Sequence, residues 1–367
     1  MKHIKLSALF VLFLGLAPLQ AMHNGQDEAR EEGSSVVAAA AQPVKTLSVS
    51  AATPWQKASS EVFILDAKTL AILKSKDVAT VEKKRDLLAK AAQATALNIE
   101  GIKFQPGDKK TLLYFLPHCK KVDRLILLNV RLKQLPKLPF QDRLTCLALN
   151  TVWLETIEGI ADYHNIQHLS LCLVRLLGSS QPDPTAWAPV EELRNLRSLR
   201  ADRSCRFSVS KVMQNNQHLE KFDHNGVMST DALSALPSSL RQLALRNAHL
   251  DDKTLALLPT EQLEKLLLEN NTFTSLEPLR NAPVRVLRLE ANKQLDQTLA
   301  QVIYTMPNLE SLNLAGCDLE DAHTKPLFAL ADKLKSFNLL ENKRLSEPMR
   351  EKLCLSFGDK VSFEGVY

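Results

Sequence analysis

The feature that most constrains this chain is a spacing. Leu309-x-x-Leu312-x-Leu314-x-x-Cys317-x-Leu319 is echoed by Leu263-x-x-Leu266-x-Leu268-x-x-Asn271-x-Phe273 and by Leu334-x-x-Phe337-x-Leu339-x-x-Asn342. Further copies begin at Val122, Leu144, Ile166, Leu240 and Val284, weaker ones at Leu196 and Leu219, and a degenerate one at Ala94. That makes about eleven units at periods of roughly 21 to 30 residues, and units this short bury their apolar side only by stacking on one another. Residues four and six of a unit share one face of an extended strand and point into that common core. A polar residue at position nine can then satisfy backbone groups where the chain turns away. Asn271, Asn292, Cys317 and Asn342 fill this place, but earlier units carry Val130, Val152, Val174, Ser204, Val227 and Ala248. The N-terminal half must satisfy its turns in another way.

Composition agrees with a repeat array. The 367 residues include 66 leucines but only 11 glycines and 5% aromatics. None of the glycine-rich nucleotide-binding motifs is present. A net charge of +5 is too small for the single-sign stripe that a nucleic-acid backbone demands, so no nucleic-acid partner is expected. The return segments Lys109–Leu116, Asp252–Leu258, Asp296–Met306 and Asp321–Ala331 read as helices, several of them starting after an Asp suited to capping. One unit is lengthened by an insertion over 178–190, where Trp187 is either a contact point or a plug in the core.

The chain is expected to begin with a secretory signal peptide over 1–21. A basic start is followed by the apolar run Leu6 to Leu16 and small residues ending at Ala21. About eleven apolar residues fall short of the ~20 needed to span a bilayer, so no stable membrane span is expected after cleavage. A secreted or periplasmic location follows. Residues 22–59 read as a flexible low-complexity linker, and 60–93 as a cap of two amphipathic helices, with Phe63, Leu65, Leu70, Leu73, Val81, Leu87 and Leu88 at helical spacings. The solenoid itself spans 94–352 and a C-terminal cap 353–367, where Cys354 is expected to pack.

On these motifs the chain resembles the leucine-rich-repeat family over about residues 94–345, of the ribonuclease-inhibitor-like or bacterial type. The resemblance implies an α/β solenoid, a horseshoe with a parallel concave sheet and with helices and turns on its convex side. It also implies partner binding on the concave face. Exported bacterial repeat proteins of this kind include host-directed effectors.

In this register, positions three, five and seven project from the sheet's open face. Charge of both signs concentrates there between Arg200 and Glu290, which suits a protein or peptide ligand. The expected partner-binding residues are Arg200, Asp202, Asp223, Arg246, Lys265, Glu269, Arg288 and Glu290. The competing reading is a solvated sheet whose charges pair internally, Arg288 with Glu269 or Glu290. A second rival is a thiol enzyme, because the register sets Arg124, Cys146 and His168 side by side. A third is a structural envelope scaffold. No metal site is expected, since His168 and Cys172 would lie roughly 13 Å apart on a strand. No cofactor is expected, and the columns bring no two of the six cysteines face to face.

Overall fold

In a computed structural model, residues 62–104, 108–177 and 184–363 are described. The expected leader and linker, most of the 178–190 insertion's tip and the last four residues lie outside them. Fourteen strands form one parallel sheet: β1 Val62–Leu65, β2 Ala96–Glu100, β3 Arg124–Leu132, β4 Cys146–Leu154, β5 His168–Cys172, β6 Arg175–Leu176, β7 Ser198–Asp202, β8 Lys221–Asn225, β9 Gln242–Arg246, β10 Lys265–Leu267, β11 Val286–Arg288, β12 Ser311–Asn313, β13 Ser336–Asn338 and β14 Val361–Ser362. Spatial order follows chain order, with β6 an offshoot paired to β4. This is a leucine-rich-repeat solenoid.

Register is uniform. Leu125, Leu147, Leu169 and Leu199 stand opposite one another, and Phe222, Leu243, Leu266, Leu287, Leu312 and Phe337 continue the same column. All ten are buried to 1% exposure or less, so the leucine stack is dry. Each such side chain contributes roughly 1.5–3 kcal/mol relative to exposure.

The return segments close the core behind the sheet. Helices form at Asp108–Phe115, Asp252–Leu255 and Leu299–Thr305, and Asp321–Thr324 runs on as a 3₁₀ turn over Lys325–Leu330. Asp251 caps its helix by accepting from the Thr254 amide at 2.8 Å, and Thr254 Oγ1 accepts in return from the Asp251 amide. Trp187 is 3% exposed and packs on Phe207, so it is a plug and not a contact point.

Both ends differ from expectation. Phe63 and Leu65 belong to strand β1, paired in parallel with β2, and only then do helices Ala67–Lys74 and Val81–Gln93 follow. The run Val62-Phe63-Ile64-Leu65 prefers the pleated surface, and Asp66 caps the next helix by accepting from the Thr69 amide at 2.7 Å. Strand pairing thus begins one unit earlier than the repeat signature. At the other end, Leu353 and Phe357 of helix Glu347–Phe357 fill the core, with Phe357 packed on Phe337, while Cys354 is exposed.

Past the strands of most units, position eight adopts the left-handed conformation. It does so at Gly101, Asn129, Thr151, Leu173, Asn247, Asn270, Ala291, Gly316 and Glu341, most of which carry a side chain. In the C-terminal half a polar ladder follows. Asn271 Oδ1 accepts from the Ala248 and Leu250 amides, and its Nδ2 donates to the Leu245 and Leu268 carbonyls. Asn292 Oδ1 accepts from the Asn271 amide, Cys317 donates to the Leu289 carbonyl, and Asn342 accepts from the Leu319 amide. The N-terminal half solves the same problem differently. Strands β3 and β4 run on past the turn, pairing Val130 with Val152 and Leu132 with Leu154. One unit on, the Leu173 and Val174 amides donate to Asp202 and Ser204 side chains.

Two stability changes follow. Asn271→Ala orphans several buried backbone groups and is expected to cost about 3 kcal/mol by urea denaturation. Ala291→Gly relieves a left-handed backbone and is expected to stabilise by about 1 kcal/mol. An unchanged midpoint in either variant would contradict this account of the turns.

Candidate functional site

The register sets the expected residues on the open face. Arg200, Asp223 and Arg288 stand at position five, Lys265 at position three, and Asp202 at position seven. Arg246, Glu269 and Glu290 follow at position seven, at or just past the ends of β9, β10 and β11. Neighbouring strands bring these columns within about 4.8 Å of one another, close enough for ion pairs across the sheet.

The structure joins four of them into a zigzag. Arg200 lies 3.5 Å from Asp223, and Arg246 Nη1 donates to Asp223 Oδ1 at 2.5 Å. Arg246 Nε reaches Glu269 Oε2 at 2.9 Å, so one guanidinium bridges carboxylates from both flanking strands. Its planar fork suits this double duty. The two carboxylates hold Arg246 above its ordinary value even though burial pushes it the other way. Side-chain exposures of 17–29% for Arg246, Asp223 and Glu269 mean this is no freely solvated pair.

The remaining four residues stand apart from the zigzag. Asp202 holds the turn, accepting from the Leu173 amide at 2.7 Å and the Ser204 amide at 2.9 Å. Glu290 accepts from Asn313 Nδ2 on the next strand, while its Oε2 is buried without a hydrogen-bond partner. Burial first and the Glu269 charge second push the Glu290 carboxyl up to about 7. Lys265 has no ion-pair partner among the described residues; burial, then Arg288 and Arg246, lower its ammonium below the usual lysine range. Arg288 is exposed and pairs with neither Glu269 nor Glu290, contrary to the internal pairing considered from sequence. Arg246 takes Glu269 instead.

The thiol column has the expected register but the wrong environment. Arg124, Cys146 and His168 are consecutive partners across β3, β4 and β5. Cys146 is 1% exposed, however, and burial drives its thiol up to about 12 despite Arg124. A nucleophilic cysteine needs the opposite shift. His168 is lowered, chiefly by burial and then by Lys221. All six cysteines are free thiols, and no group of three candidate metal ligands occurs among the described residues. No helix among them is long and apolar enough to cross a membrane.

A second charged array was not anticipated. At position two, just before the strands, Arg197, Glu220, Arg241, Glu264, Arg285, Glu310 and Lys335 alternate in sign across successive units. Arg197 pairs with Glu220 at 2.7 Å, Arg241 with Glu264 at 2.8 Å, and Glu310 with both Arg285 and Lys335. The signal lies one column before those read for the open face.

Fold and face together define a leucine-rich-repeat solenoid with a charged, partly committed sheet surface. The chain matches no protein-family model and no curated protein. Among solved structures it is similar to one described as "Crystal structure of LRIM1/APL1C complex", at 18% identity and a TM-score of 0.40. That similarity covers 77% of this chain, which spans about half of the other, 54%.

Two outcomes follow from the burial of these groups. A folded-state value raised above the unfolded one means that protonated Glu290 supports the fold, a contribution lost as pH rises through about 7. Glu290→Gln is therefore expected to be more stable than wild type at about pH 8 and to lose that advantage towards about pH 4, by denaturation at both pH values. Iodoacetamide at about pH 7.5 is expected to label exposed Cys354 within minutes and to spare Cys146 in the folded chain, read by peptide mass spectrometry.

Proposed function

We propose that this protein is an exported, non-enzymatic recognition module that binds a protein or peptide on the open face of its sheet, between β7 and β11. The observation that carries the reading is the zigzag of Arg200, Asp223, Arg246 and Glu269. Charges already held by their neighbours lose little freedom when a partner arrives, so the surface is organised before binding. Both signs are interleaved, which fits a protein surface better than a phosphate backbone. Buried, protonated Cys146 speaks against the thiol-enzyme reading. Export rests on the leader pattern of residues 1–21, and action as a bacterial host-directed effector rests on the family resemblance.

The test is charge reversal in the full chain. Arg246→Glu with Arg288→Glu is expected to weaken binding of a captured partner at least tenfold, roughly 1.4 kcal/mol or more. Reversal at Arg246 gathers three carboxylates, so Arg288→Glu alone is the cleaner variant, because that side chain is exposed and has no ion-pair partner among the described residues. Unchanged affinity in a folded Arg288→Glu chain would move the site off this face.

A further inference from the structure

The zigzag spends its charges unevenly. Arg246 is shared between Asp223 and Glu269, which leaves Lys265 and Arg288 as cations with no ion-pair partner among the described residues. The two flank Leu267, Lys265 two residues before it on the same strand and Arg288 opposite it on the next. Leu267 and its neighbour Ala244 are 7% and 5% exposed, so the floor between the cations is apolar. We propose that this Lys265–Leu267–Arg288 corner seats the carboxylate of an acidic side chain in the partner, with an apolar neighbour against Leu267. The inference rests on the open-face reading and names the chemistry that the face selects.

Three observations support an anion here. Lys265 is half-buried, and the cations Arg288 and Arg246 act on it more strongly than the acids Asp223 and Glu269. A desolvated ammonium beside like charges is a cost that a carboxylate would offset. Glu290, an acid outside the zigzag and two residues past Arg288, already accepts from Asn313 and is pushed towards its neutral form despite Arg288 and Arg246, so it is a poor counter-ion. Lastly, Arg288 presents a planar fork at the surface, the geometry that takes a carboxylate by two parallel hydrogen bonds.

The probe is a phage-displayed library of random peptides panned against the full chain, with selected sequences re-synthesised and measured by fluorescence anisotropy. The expected result is enrichment of Asp or Glu beside an aliphatic residue. Replacing that acid by its amide should then cost about tenfold in Kd, and Lys265→Met or Arg288→Gln should cost about as much while circular dichroism stays native. Peptides that lose binding in Arg246→Glu but carry no acidic signature and ignore Lys265→Met would overturn this inference and leave the open-face reading standing. Peptides indifferent to all of these changes, or none selected at all, would overturn both.

Discussion

The rest of the structure depends on one register held across the whole sheet. Side chains alternate along a strand, so a slip of a single residue in any unit would turn Leu266 and its equivalents outward and drive charged neighbours such as Lys265 into the core. Several devices oppose such a slip. The leucine column excludes water, a left-handed residue at position eight turns the chain at the same place in most units, and alternating ion pairs at position two tie several C-terminal strands to their neighbours. The ion pairs are exposed and individually weak, so the first two devices dominate the energy.

The open face is a by-product of that register. Columns three, five and seven exist because four and six are buried, and their spacing is set by backbone hydrogen bonds before any partner is involved. What distinguishes β7 to β11 is the choice of side chains. One arginine bridges two carboxylates, the Glu290 carboxyl is pushed up to about 7, and two cations are left without ion-pair partners among the described residues. A surface with its charges partly committed differs from one that is merely polar. Its geometry is fixed, and its leftover charge has a sign and a place.

Most of this was legible in the sequence, because a repeat reports its own register. The pairing of Arg124, Cys146 and His168, and of every later strand, follows from aligning the L-x-x-L-x-L copies. Legibility failed where residues depart from the repeat. Val62 to Leu65 form a strand without a full signature, and the unit at Leu219 is weak because Phe222 and His224 take core places that leucines hold elsewhere. Ion-pair choice was also hidden, since column membership does not say which of two equidistant acids an arginine will take. Burial of Cys146 could not be read from spacing alone, because side chains on either flank decide it.

The most direct test of a pre-organised face is a double-mutant cycle on Asp223 and Arg246, with stability measured by urea denaturation of Asp223→Asn, Arg246→Gln and the pair. The account predicts a coupling of about 1 kcal/mol between the two changes. Effects that simply add, to within about 0.3 kcal/mol, would contradict it and leave the face as an ordinary solvated sheet.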